Sequence, residues 1–166
     1  MEGPLINRLG AYEKGIGADW QGGRMNFEEF YKQSKPAWDA FAKGNPEPAK
    51  SLYSHREDAT LANPFGPAVR GWEQVSKTLE FASSRFREGE FLGAERIAEY
   101  VTAELVCLLD LEHWRARVGD RPEVEPFDLR VTTTLRREND DWKIVHRHAD
   151  PITTFDPSGP MRTSPR

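Results

Sequence analysis

Two hydrophobic rhythms divide the chain, and the change between them falls at Gly89. Before it, apolar residues recur at helical spacing. Phe27, Phe30, Tyr31, Ser34, Trp38 and Phe41 share one helical face. Asn26, with Glu29 three residues on, has the spacing of a capping box at its start. Pro36 interrupts this face and predicts a kink, or a break with Ser34 capping the second piece. Gly44 closes the segment, and Pro46 or Pro48 opens a short second helix to about Tyr53. A strand is expected over 58–63, followed by the turn Pro64-Phe65-Gly66-Pro67. Trp72, Val75, Leu79, Ala82 and Phe86 then mark a third amphipathic helix.

After Gly89 the period becomes two. Residues 91–101, 103–118, 127–137 and 142–150 read as successive strands, with a Pro- and charge-rich connection at 119–126 and a short hairpin turn at 138–141. Each exceeds the usual strand of about five or six residues, which predicts strong curvature. The expected fold class is α+β: a curved antiparallel sheet wrapped by three N-terminal helices, in the order α-α-β-α-β-β-β-β. The folded unit spans 26–154. Residues 1–25, glycine-rich without a period, read as an N-terminal arm, and 155–166 as a flexible C-terminal tail.

Composition narrows the function. The chain has 166 residues and a net charge of −4 with no dense basic stretch, so nucleic acid is not an expected partner. No run approaches the ~18 apolar residues of a membrane span, so no membrane partner is expected. The start lacks a secretion-signal layout, and a cytoplasmic protein is expected. Cys107, the single cysteine, sits in an apolar run and reads as a small buried hydrophobe.

Candidate chemistry concentrates in the strands. His146, His148 and Asp150 alternate along the last one and so point to one side. A neutral imidazole accepts a proton near neutral pH, and a neighbouring carboxylate orients it; the competing reading has these imidazoles bonding only to adjacent strands or a dimer partner. Asp110 and Glu112 share a face with Val106, Leu108 and Trp114. Desolvation there raises a carboxyl into general-base range, whereas on an outer face both acids would be solvated; alternation alone leaves the concave face open. Arg130, Thr132 and Thr134 share a face of the next strand, where Arg130 would orient Glu112 or form an exposed salt bridge. Asp58 and Asn63 bracket the first strand, Asn63 in a position that turn chemistry also explains. Trp38, Tyr100 and Trp114 divide between core and substrate platform. His-x-His plus a carboxylate offers three metal ligands, but nothing supplies a further one, and neither metal nor cofactor is expected.

Together the segments 37–67, 70–75 (RGWEQV) and 129–151, with Trp142 followed at +4 and +6 by His146 and His148, carry a resemblance. The chain resembles the nuclear transport factor 2-like superfamily, and within it the SnoaL-like group, alongside ketosteroid isomerase, scytalone dehydratase and limonene epoxide hydrolase. The resemblance implies a cone-shaped domain with a small-molecule pocket and a homodimer. It further implies cofactor-free proton transfer of the isomerase, cyclase or dehydratase type on an apolar carbonyl-bearing substrate. On that reading Glu112 or His148 is the base, Asp150 orients His148, and Arg130, aided by Tyr100, stabilises an oxyanion. Trp38, Asp58, Asn63, Tyr100, Asp110, Thr132 and His146 then line the substrate. The alternative is a non-catalytic ligand-binding or assembly domain, since a similar Trp…His-x-His hairpin occurs in the association domain of calmodulin-dependent kinase. The epoxide hydrolase Asp-Arg-Asp pattern and the ketosteroid isomerase Tyr/Asp pair are not matched.

Overall fold

The computed structural model describes residues 26–155. The expected arm at 1–25 and tail residues 156–166 lie outside them. Helix α1 (Phe27–Gln33) starts as its cap predicts, Asn26 Oδ1 accepting from the Glu29 backbone N–H at 2.8 Å. The break before α2 (Lys35–Ala42) falls at Ser34. Ser34 does not cap α2, however: its Oγ donates back to the Tyr31 carbonyl at 2.6 Å, a local bond that competes with capping. The short helix α3 (Glu47–Lys50) leads to β1 (Thr60–Ala62). The turn after β1 folds the chain back into a two-residue strand β2 (Val69–Arg70), an addition to the expected order. Helix α4 (Trp72–Ser84) is the predicted third amphipathic segment, but Phe86 opens β3 (Phe86–Val101) instead of closing the helix. Strands β4 (Leu105–Val118), β5 (Glu125–Glu138) and β6 (Asp141–Asp150) complete an antiparallel meander.

The six strands form one sheet in the order β2-β1-β6-β5-β4-β3, with β1 parallel to β6. Its curvature has local causes. Pairing of β3 with β4 slips between Arg87 and Glu90, Phe91 and Gly93, and Arg96 and Ala98. Extra residues of this kind bend a strand and increase its twist. Helix α2 docks on the bent edge at Gly89, where an added Cβ would lie 2.5 Å from the Ala42 carbonyl oxygen and 2.8 Å from the Ala116 Cβ. The period change in the sequence therefore falls on a residue whose missing side chain permits the helix to approach.

Helices cover the concave face. Val106, Leu108, Trp114 and Ala116 of β4, Val131 and Leu135 of β5, and Trp142 and Ile144 of β6 are buried there. Trp38 and Phe41 of α2 and Val75, Leu79 and Ala82 of α4 are buried with them, Trp38 edge-on to Trp114 at 6.2 Å between ring centroids. This settles which face of β4 turns inward: the one bearing Asp110 and Glu112.

The last strand departs from simple alternation. Ile144 pairs with Leu135 and His146 with Thr134, so Val145 has no residue opposite it. This bulge reverses the parity of the remaining strand. Trp142 and Ile144 face inward before it, Arg147 and Ala149 after it. His146 and His148, spaced from Trp142 as though on the same side, are turned to the outer face.

Candidate functional site

Two arginine–carboxylate pairs are gathered on the concave face. Glu112 is 2 % exposed and Arg147 6 %. Arg147 Nη1 donates to Glu112 Oε1 at 2.9 Å and to Thr133 Oγ1 at 3.3 Å, while Nη2 donates to Glu112 Oε2 at 2.6 Å. Glu112 Oε2 also accepts from Trp114 Nε1 at 3.0 Å. The Arg147 guanidinium lies 4.7 Å from the Trp38 ring centroid, so an aromatic face covers the cation. This arrangement holds Arg147 well above the usual guanidinium range despite its burial.

One turn of the pleat away, Asp110 is 1 % exposed and accepts from Arg96 Nε at 2.6 Å and Tyr31 Oη at 3.0 Å. Burial, and then the Asp110 charge, push the Tyr31 hydroxyl well above its ordinary value. Burial does the same to Tyr53, whose hydroxyl has no hydrogen-bond partner among the described residues. Both tyrosines therefore remain O–H donors across the physiological range.

A cavity of about 310 Å³ lies beside these groups. Exposed lining residues, Phe65, Arg121 and Glu125 among them, mark its mouth; buried ones, including Trp38, Trp114 and Arg147, mark its inner end. The walls between are mostly aromatic and aliphatic, including Phe41, Leu79, Phe86 and Phe127. Phe86 and Phe127 stack at 5.8 Å, as do Phe127 and Trp114 at 6.4 Å. An apolar cavity with one buried guanidinium at its inner end can hold a molecule of matching polarity and donate hydrogen bonds to its oxygen.

The sequence-derived candidates separate into two groups. Trp38 and Asn63 line the cavity, whereas Glu112 and Asp110 are buried beside it without lining it. Asn63 serves the turn as well, accepting from the Phe65 backbone N–H at 3.0 Å. The other candidates do not meet Glu112. Arg130 is on the outer face, its side chain 51 % exposed and its Nη2 bonded to Asp150 Oδ2 at 2.9 Å, because its odd neighbours Val131 and Thr133 occupy the inner face. His148 is 54 % exposed and its Nε2 lies 3.9 Å from Asp150 Oδ2. His146 Nδ1 lies 2.8 Å from Thr60 Oγ1, and burial, with His148 nearby, holds the imidazole below its ordinary value. Thr132 pairs with His148 on that outer face. Tyr100 is 68 % exposed near the end of β3, since the bulges have carried that edge clear of the helices. Asp58 bonds Arg136 at 2.6 Å at the surface, and that guanidinium holds its carboxyl below the usual range.

Arg147, Tyr31, Tyr53, Arg96 and Thr133 were not among the sequence candidates. A signal for Arg147 existed. Ile144 and Val145 are adjacent apolar residues in an otherwise alternating strand, which is how a bulge reads before its partner strand is known. Among the described residues no group of three or more His, Cys, Asp or Glu side chains is placed to hold a metal ion, and no helix is long and apolar enough to cross a membrane.

A helix-covered, bowed sheet of this order defines the nuclear transport factor 2-like fold, and solved structures agree. A nuclear transport factor 2-like superfamily protein from Salmonella enterica serovar Typhimurium superposes with a TM-score of 0.64 at 21 % identity, covering 80 % of this chain and 95 % of that one. A candidate calmodulin-dependent kinase II association domain from Thiobacillus denitrificans gives 0.60 at 18 %, covering 80 % and 100 %. A candidate scytalone dehydratase from Novosphingobium aromaticivorans gives 0.61 at 16 %, covering 78 % and 93 %. A family model for the SnoaL-like domain matches residues 16–153, and the chain belongs to that family. None of the curated proteins compared matches it.

Proposed function

We propose that this SnoaL-like domain is a small-molecule pocket protein that takes up an apolar, carbonyl-bearing molecule and acts on it by cofactor-free proton transfer, as an isomerase, cyclase or dehydratase does. The observation that carries this reading is the buried Arg147 guanidinium at the inner end of an otherwise apolar cavity. N–H donors fixed in a water-poor site hydrogen-bond a carbonyl oxygen, and the partial negative charge it gains, more strongly than they would in water. Glu112 is better suited to hold Arg147 in place than to serve as a free base, because both its oxygens already accept donors. For it to take a proton, the Trp114 bond would have to open.

The second reading is a binding or assembly domain without catalysis. What favours it is the position of His146, His148, Arg130 and Asp150 on the outer face of the sheet, where a second copy of the chain would cover them and form a homodimer. On either reading the protein acts in the cytoplasm.

Native mass spectrometry of protein purified under gentle conditions tests the pocket. The expected result is a retained small molecule, lost when Leu79→Trp fills the cavity. Equal retention by wild type and the filled variant would remove the cavity from the account.

A further inference from the structure

Arg147 has an unused edge. Its planar guanidinium carries five N–H donors. Both hydrogens of Nη1 are engaged, by Glu112 and Thr133, and one hydrogen of Nη2 by Glu112. The Nε–H and the remaining Nη2 hydrogen lie side by side on the other edge of the fork and meet no acceptor among the described residues. Unlike the Tyr53 hydroxyl, Arg147 Nε is not sealed off without a partner, so this edge is reachable from the cavity that Arg147 lines, and an acceptor that enters can take both hydrogens. The edge is shaped for an oxygen with two lone pairs, and Arg147 belongs to the cavity wall.

Charge restricts which oxygen fits. Of the charged cavity-lining residues, Arg147 is neutralised by Glu112, and Arg121 at the mouth is paired with Glu125 at 3.0 Å. Behind the wall, Asp110 is matched by Arg96. Acids and guanidinium groups balance throughout. A carboxylate entering beside Arg147 would lie close to Glu112 and leave one negative charge uncompensated among Trp and Phe rings. A ketone, ester or lactone oxygen would fill the same two donors without that charge.

We propose that Glu112 sets the charge selectivity of the cavity: by neutralising Arg147 it makes the open edge a receptor for an uncharged carbonyl compound and excludes the corresponding carboxylate. Glu112 is thus a specificity-determining residue acting through Arg147. This rests on the pocket reading above.

Three fluorophores on one naphthalene frame, each of a size the cavity admits, test it: propionyl-dimethylaminonaphthalene, its oxygen-free propyl analogue, and dimethylaminonaphthoate. Wild-type protein is expected to bind the ketone about tenfold or more tighter than the propyl compound, since the hydrogen bonds come from a charged donor. It should bind the carboxylate at least about tenfold more weakly than the ketone. In Glu112→Gln, which retains an acceptor for Arg147 and removes the negative charge, the order of ketone and carboxylate is expected to reverse. Equal affinity of wild type for ketone and propyl compound overturns the role of the open edge. Equal or tighter binding of the carboxylate overturns the charge selectivity while leaving the pocket intact. Failure of all three to bind overturns the pocket reading and this inference with it. The wild-type comparison decides the matter even if Glu112→Gln does not fold; if it folds, an unreversed order also overturns the assignment to Glu112.

Discussion

Two of the arginine–carboxylate pairs on the sheet differ chiefly in where they sit. Inside, Arg147 and Glu112 meet at 2.6 Å with side chains 8 % and 2 % exposed; outside, Arg130 and Asp150 meet at 2.9 Å at 51 % and 17 %. The lengths are similar, but the energetics are not. In the outer pair water already solvates much of the arginine, so the bond adds little and salt screens it. In the inner pair both charges have left water, and each is tolerable only because the other is present. Position on the inner face, and not residue type or spacing, makes one pair a candidate for chemistry and the other a surface feature.

The comparison can be broken at its strongest point by removing one arginine at a time. Arg147→Met strands the buried Glu112 carboxylate and is expected to cost about 3–5 kcal/mol of unfolding free energy. Arg130→Met is expected to cost under about 1 kcal/mol. Urea unfolding of both variants checks this, and similar losses would mean that the two faces are not electrostatically distinct.

A smaller effect sharpens the inner face. The Tyr53 hydroxyl is buried without a partner among the described residues, so Tyr53→Phe is expected to change stability by less than about 0.5 kcal/mol, or to raise it. A loss above about 1 kcal/mol by thermal or urea unfolding would mean that the hydroxyl is hydrogen-bonded in solution.

The smallest effect belongs to the outer face. His146 has its pKa lowered on folding by burial and by His148. The unfolded chain therefore binds the proton more readily. The stability associated with neutral His146 is present above its unfolded pKa and is lost as pH falls through the folded one. His146→Asn should flatten the pH dependence of unfolding in that window; an unchanged profile would place the titration elsewhere.

Much of this arrangement was legible before any coordinates. The Asn26 cap, the break near Pro36, the amphipathic α4 and the four long strands follow from period and turn chemistry. So does the shared face of Asp110, Glu112 and Trp114, because β4 alternates without a slip against β5. What alternation could not supply was which side is concave, since that depends on helices packing from elsewhere in the chain. It also failed at Val145. A single unpaired residue moved the conspicuous His146 and His148 outward and brought Arg147, hidden between them, to the inner end of the cavity. Tyr31 was visible on its helical face, but its bond to Asp110 joins positions far apart in sequence. The bulges that release Tyr100 and bend β3 are likewise properties of pairing, not of any one strand.

The most direct test of the division between faces is the dissociation constant of propionyl-dimethylaminonaphthalene, by fluorescence titration, for three proteins. These are wild type, Arg147→Lys, and the double variant Arg130→Ala/His148→Ala. Arg147→Lys, which keeps the charge but loses the planar fork, is expected to bind at least about tenfold more weakly, and the outer-face double variant within about twofold of wild type. A double variant that loses binding while Arg147→Lys retains it would mean that the ligand sits on the outer face and not beside Arg147.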